Sequence, residues 1–405
     1  MSGGNDWASD LAFLKRHTDP VILGVDQPGR VAVIPEYQCR AMTSTTGHPD
    51  HSGFGWINYP RVAAGPAEGD PNLFGGEDRF WLAPEGSRHS LYFDPGQPLD
   101  FAHWRIPRAL NGPRFELVAV DSDSVEMTHR DTVTSWSGQS FDFQVRRRVV
   151  LQRLPDIETA LGMAVDPSIW SVGFRSENWL TNCGPQAWTR ETGMPAIWIL
   201  GMFKPAPAAS MLIPLAGTPG DGEKLPVTVD YFGIPEPQRM IVDRENRLVC
   251  FRGDGRFRSK LGVPAGRARD LLGAWDPHQQ RLTVVRYSLP RPIDQAWTNN
   301  LWRTDIDPYC GDVANVYNDG PNESGNILGP FFELESLSPG LSLQPNETGR
   351  HVHTTIHLQG QRNRLDGICQ SLFGVSTDQI DRLLRGPRFP GQAGKPLTRD
   401  RPENL

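Results

Sequence analysis

The chain has 405 residues, 38% of them hydrophobic and 22% charged, with a formal net charge of −6. That is enough apolar material for a substantial core, which excludes global disorder, and an acidic balance argues against nucleic acid or an anionic membrane as main partner. Five scattered cysteines (Cys39, Cys183, Cys250, Cys310 and Cys369) form no C-x-x-C pair, so neither a disulfide framework nor a zinc site is expected.

The first segment, WASDLAFLKRH, places Trp7, Leu11 and Leu14 at helical spacing and predicts a short helix. No apolar run here resembles a signal-peptide core, and none anywhere approaches a membrane span, so a soluble, cytoplasmic protein is expected. From there glycine and proline punctuate short β-branched and aromatic stretches: RVAVIPEY, HSLYF, FELVAV, FDFQVRRRVVLQ, AIWILGMF, VTVDYFGI, RLTVVRYSL and HVHTTIHLQ. Many short strands with turn signals between them predict a mostly β sandwich or barrel with few helices. The run Arg146-Arg147-Arg148 reads as an edge or solvated strand face. GRARDLLGAW (266–275) is a possible short helix. STDQIDRLLRG (376–386) is the clearest one, capped by Ser376 or Thr377 and striped by Ile380, Leu383 and Leu384. One large β domain over 1–387 is expected, with 216–226 as a loop-like insertion and 388–405 as a loosely held tail.

Several segments mix charge with aromatic rings inside strand-like surroundings. NLFGGEDRFWLAPEGSRHSLYF (72–93) brings Glu77, Arg79, Trp81, Glu85 and His89 close together in sequence. Aromatics stack on pyranose faces while carboxylates and arginine hold hydroxyls, so a sugar site competes with a plain surface turn. SENWLTNCGPQAW (176–188) adds Asn178 and Asn182. FRGDGRFRSKLG (251–262) adds Lys260, with its Asp-Gly reading first as a hairpin turn. DPYCGDVANVYNDGPNESG (307–325) contributes Asp319, but its oxygens do not match a calcium loop.

FFELESLSPG (331–340) then sets Glu333 and Glu335 two apart on one face of an apolar strand. Burying even one carboxylate without a partner is costly, so that face is either wet or chemically active. HVHTTIH puts His351, His353 and His357 on one strand face, either as metal ligands or as a polar sheet face. No P-loop, G-x-G-x-x-G, G-x-S-x-G or H-E-x-x-H motif occurs, and no cofactor or metal is expected.

Residues 334–360, LESLSPGLSLQPNETGRHVHTTIHLQG, resemble the closing signature of the galactose mutarotase (aldose epimerase) superfamily. Across most of the chain GGEDRFWLAPEG, SENWLTNCG, IWILGMF, DGRFRSKLG, GDVANVYNDGP and GPFFELESLSP, in that order, resemble an uncharacterised bacterial family on the same large β-supersandwich. The resemblance implies a sugar mutarotase in which Glu335 is the base, Glu333 holds a hydroxyl or raises its neighbour's proton affinity, and His89 or a C-terminal histidine is the acid. Glu77, Arg79, Trp81, Asn182, Lys260 and Asp319 would bind the sugar, all converging on one concave face. The mutarotases' central H-x-Y-x-N-like motif has no histidine here, where the chain reads NWLTNCG. The alternatives are a non-catalytic carbohydrate-binding protein on the same fold, or a glycosidase or lyase.

Overall fold

The computed structural model describes residues 6–385, except 68–70, 218–224, 294 and 323. The tail 388–405, and most of the insertion 216–226, lie outside the described residues. Helix α1 (Trp7–His17) leads into a small sheet of β1 (Val21–Leu23), β2 (Arg30–Ile34) and β3 (Arg40–Thr45), then α2 (Tyr59–Ala64) and β4 (Arg79–Ala83). Long antiparallel strands follow: β5 (Glu116–Val120), β6 (Ser124–Thr134) and β7 (Ser140–Gln152). Next come α3 (Leu154–Leu161), β8 (Trp170–Asn182), β9 (Ala196–Phe203) and β10 (Ser210–Pro214). The middle of the chain supplies β11 (Met240–Asp243), β12 (Leu248–Arg252), β13 (Ser259–Pro264), β14 (Leu271–Asp276) and β15 (Arg281–Tyr287). It closes with β16 (Asp312–Asp319), β17 (Phe331–Leu337), β18 (Thr348–Gln359), α4 (Arg362–Phe373) and α5 (Thr377–Arg385).

The fold is mostly β. Ten strands form one sheet in the order β11-β12-β10-β14-β15-β18-β8-β7-β6-β5, and five form a second, β13-β16-β17-β9-β4. The inner face of the second sheet packs on the first. Phe332, Leu334, Val316 and Leu261 meet Met211, Phe251 and Val285, and Ile197 and Ile199 share a core with Val145, Val149 and Phe174. On the far side of the larger sheet, Leu282, Val284, Ile356 and Leu358 are covered by Ile157, Leu365, Leu372 and Ile380 from α3, α4 and α5.

Two of the three helices read from sequence form, and each has a local cause. Asp6 caps α1 by accepting from the Ser9 amide at 2.7 Å, and Lys15, Arg16 and His17 sit in its last turn. In α5, Ser376 Oγ accepts from the Gln379 amide at 3.2 Å while Gln379 Oε1 accepts from the Ser376 amide at 2.8 Å, a reciprocal capping box.

Four expectations fail. GRARDLLGAW is a single turn of 3-10 helix followed by β14, because Leu271 faces the helix layer and Leu272 the inter-sheet core. HSLYF and VTVDYFGI are loops. The Asp254-Gly255 turn makes no hairpin: it carries the chain from β12 in the larger sheet to β13 in the smaller. Arg147 is no solvated residue. It is fully buried on the interior strand β7, paired with Asp78.

Candidate functional site

The five-stranded sheet turns one face away from the sandwich, and there the two glutamates of β17 point. Cross-strand register aligns their neighbours: Glu335 lies between Leu200 and Asn315, Glu333 between Met202 and Tyr317, with Arg79 beyond Leu200 and Lys260 beyond Tyr317. Since paired residues share a face, three strands deliver Arg79, Glu333, Glu335 and Lys260 to one patch. Loops carrying Glu85, Phe101, Trp104, Tyr231, Phe232 and Trp302 stand over it and enclose a cleft of about 560 Å³.

Every charged group on the cleft floor has a partner. Arg79 donates to Glu333 Oε1 at 3.0 Å, and its guanidinium lies 4.1 Å from the Trp81 ring centroid. Glu335 accepts three hydrogen bonds at Oε2, from Trp198 Nε1 (2.9 Å), Lys260 Nζ (3.1 Å) and Asn315 Nδ2 (3.2 Å). Lys260 Nζ also lies 4.8 Å from the Trp198 ring and 5.3 Å from the Tyr231 ring. Glu85 Oε1 accepts from Trp104 Nε1 at 2.9 Å. Gly262 makes room for the wall beside Lys260: a Cβ there would fall 1.9 Å from Asp312 Oδ2. The Asp312 carboxylate accepts from Thr228 Oγ1 and from the Tyr231 hydroxyl, each at 2.8 Å, and so fixes the loop that bears Tyr231.

Three carboxyl groups thus face two cations in a site shielded from water. Burial pushes Glu333 up from its ordinary 4.5 to about 8; Arg79 opposes this, and the nearby Glu335 adds to it. Burial also raises Glu85, against the pull of Lys260. Burial works against the charge on Lys260, but Glu335, Glu85 and Glu333 together outweigh it and hold the ammonium's proton affinity above its usual value. Near neutral pH the cluster therefore keeps a proton, on Glu333. The arrangement can donate a proton from a carboxylic acid, hold hydroxyls on charged groups, and stack a ring on indole.

Of the residues singled out from sequence, Arg79, Trp81, Lys260 and Glu333 line the cleft. Glu335 lies beneath its floor, 0% exposed, behind Trp198 and Lys260. Asp319 stands behind the wall, where it accepts from Arg258 Nε (3.2 Å), the Tyr317 hydroxyl (2.7 Å) and the Leu328 and Gly329 amides (2.9 and 2.7 Å). The other three do not converge with them. Glu77 is inside the sandwich, bonded to His357 Nε2 at 2.7 Å and Ser44 Oγ at 3.0 Å. Asn182 braces main chain, donating to Gln186 O (2.8 Å) and Leu343 O (3.1 Å). His89 is buried beside Tyr309 and accepts from Arg88 Nε at 3.3 Å; burial, then the Arg88 charge, lowers its proton affinity.

His351 and His353 are interior as well. Both bond the Ser336 hydroxyl at 2.8 Å, and burial pushes both down to about 3. They are neutral imidazoles at working pH. Glu85, part of the sugar-site segment in the sequence, lines the cleft as well, whereas Trp104, Trp198, Tyr231 and Trp302 carry no site role there. The available signal was tryptophan set beside arginine with an aspartate nearby, as in DFAHWRIP and NNLWRTD.

The chain belongs to a family of unknown function, DUF6786, whose model matches residues 5–384. No curated protein matches it. Among solved structures it is similar to a putative aldose 1-epimerase from Escherichia coli K12, at 10% identity over 85% of this chain and 100% of that one, with a TM-score of 0.47. It is also similar to a GalM/aldose epimerase homologue from C. elegans (12% identity, 85% and 100% covered, TM-score 0.48). A third is a galactose mutarotase-like protein from Lactobacillus casei (10%, 84% and 100%, TM-score 0.44). Identities this low transfer no residue's role. No helix among the described residues is long and apolar enough to cross a membrane.

Proposed function

For this member of a family without an assigned function, we propose a saccharide-binding protein that moves protons at the anomeric centre, as an aldose epimerase does. The observation that carries the reading is Glu333, a carboxyl held protonated to about pH 8 where it faces an aromatic cleft of about 560 Å³. A pyranose ring suits such a lining: its apolar face stacks on indole while its hydroxyls meet Arg79, Lys260 and Glu85. Protonated Glu333 delivers its proton to the ring oxygen. Glu85, the other glutamate lining the cleft, takes the proton of the anomeric hydroxyl. The C1–O5 bond breaks, the aldehyde rotates, and closure with both protons returned gives the other anomer. Glu335 acts through Lys260 as a positioning residue. This departs from the roles that the resemblance implies: Glu85 takes the place of Glu335 as base, and Glu333 that of the imidazole as acid.

Pure α- and β-anomers of glucose, galactose and their common epimers, followed by polarimetry or one-dimensional NMR, test the reading. Interconversion faster than the spontaneous rate, and lost in Glu333→Gln, supports it. One observation favours the second reading, a binding protein without turnover: the Arg79 hydrogen bond already occupies one Glu333 oxygen. Saccharide binding with no acceleration for any anomer would select it.

A further inference from the structure

The cleft is wider than its charged floor. At its mouth Phe101 is 69% exposed, with its ring within 7° of parallel to Trp104 (centroids 6.3 Å apart) and 24° from Trp302 (6.5 Å). Trp104 in turn lies parallel to the buried Tyr92 ring at 6.3 Å, and its indole N–H is pinned by Glu85 at 2.9 Å. The platform is thus held in place while its outermost ring stays in water. Phe232, 54% exposed, is a second exposed ring on the same cleft, next in sequence to Tyr231 at the floor. Apolar rings left in water beside a cavity mark a surface that something else covers.

Room points the same way. At about 30 Å³ per heavy atom, the generous share of a liquid water, the cleft holds roughly 19 atoms, more than the about 12 of a hexose and fewer than the about 23 of a disaccharide, whose second ring would extend past the cleft onto the exposed platform at its mouth. One pyranose over the floor leaves the platform uncovered.

We propose that the ligand is a saccharide of at least two rings, one over the Lys260–Glu333 floor and the next stacked on Phe101, Trp104 and Trp302. The inference rests on the saccharide reading of the cleft and narrows it to oligosaccharides or glycosides. The platform offers parallel apolar faces, which select for ring faces rather than for a charged group such as a phosphate.

Isothermal titration calorimetry of the full chain against glucose and galactose, and against maltose, cellobiose, lactose and the matching trisaccharides, tests this. At least one disaccharide should bind about tenfold more tightly than its own monosaccharide. Phe101→Ala and Trp302→Ala should each remove most of that gain and weaken monosaccharide binding by a smaller factor. Phe101 is exposed, so its truncation leaves the fold intact, which an unchanged thermal melt verifies. Equal affinities for a monosaccharide and its disaccharide, untouched by either substitution, would overturn the two-ring proposal and leave the saccharide reading standing. Binding of no sugar in the panel would overturn both.

Discussion

Buried polar and charged side chains lie on each side of the five-stranded sheet. On the cleft side are Glu333, Glu335, Arg79 and Lys260, with Glu85 above them. On the inner side, between the sheets, are Asp78 with Arg147, Glu77 with His357, and Ser336 with His351 and His353. By burial the two are alike, and in sequence both read as candidate chemistry. They differ in what they face. The inner groups are at most 1% exposed and are closed in by both sheets, with the His357 ring stacked on Phe54 at 3.9 Å and bonded to Thr283 at 2.9 Å. The cleft groups back onto a cavity and retain an ionisable proton near neutral pH. Buried charge alone does not mark a site; buried charge beside a ring-lined cavity does.

The sharpest way to break this comparison is to remove an inner charge. Arg147→Met leaves Asp78 buried and unpaired, and should cost about 3–5 kcal/mol of stability in denaturant unfolding. The fraction that still folds should bind saccharide normally. If binding falls while the fold persists, the two clusters are not separate.

Glu333→Gln is the opposite case. Turnover should drop by about 10²–10⁴-fold with the fold retained, since general acid catalysis contributes that much. The stability profile carries its own sign. A carboxyl whose proton affinity is higher in the folded state contributes fully at low pH and loses that contribution as pH rises, here from its ordinary 4.5 through about 8. Wild type should therefore lose stability relative to Glu333→Gln across that window, measured by thermal melts from pH 4 to 9.

The inner histidines should show the reverse dependence. His351 and His353 are pushed from 6.5 to about 3, so the native state loses stability as pH falls through that range and the unfolded chain takes up protons. Asparagine at both positions should flatten the acid limb of the stability profile and leave the pH dependence of turnover between 5 and 8 unchanged. The smallest effect belongs to the surface. Arg130→Ala, which breaks a solvent-exposed pair with Asp142, should leave the thermal melt and saccharide binding essentially unchanged.

How much of this could be read from the chain alone follows the range of the forces involved. The caps of α1 and α5 are contacts three residues apart; that of α5 was legible at Ser376, while α1 was legible from its apolar spacing without its Asp6 cap. The shared face of Glu333 and Glu335 follows from strand periodicity and was legible too. Helix α4 was not, because RNRLDGICQSLF opens without a capping side chain and carries Gly367 inside. Short, proline-started α3 gave no periodic signal. Which polar residues meet the cleft depends on register between strands far apart in sequence, such as Arg79 with Leu200 and Leu200 with Glu335. Asn182 and His89 look chemical in sequence, but Asn182 spends its amide N–H groups on carbonyls and His89 Nε2 accepts from a neighbouring arginine, both away from the cleft. The cleft walls come from loops that read as strands or went unread, and only tertiary packing brings Tyr231 and Trp104 over Lys260.

The proton held on the cleft floor is the point on which this account turns, and a carboxyl-carbon NMR titration of the protein with labelled glutamate measures it directly. The account predicts one glutamate resonance with a midpoint near pH 8, absent in Glu333→Gln and displaced when a bound disaccharide fills the cleft. Glutamate resonances that all titrate below pH 5, with none moved by saccharide, would contradict it.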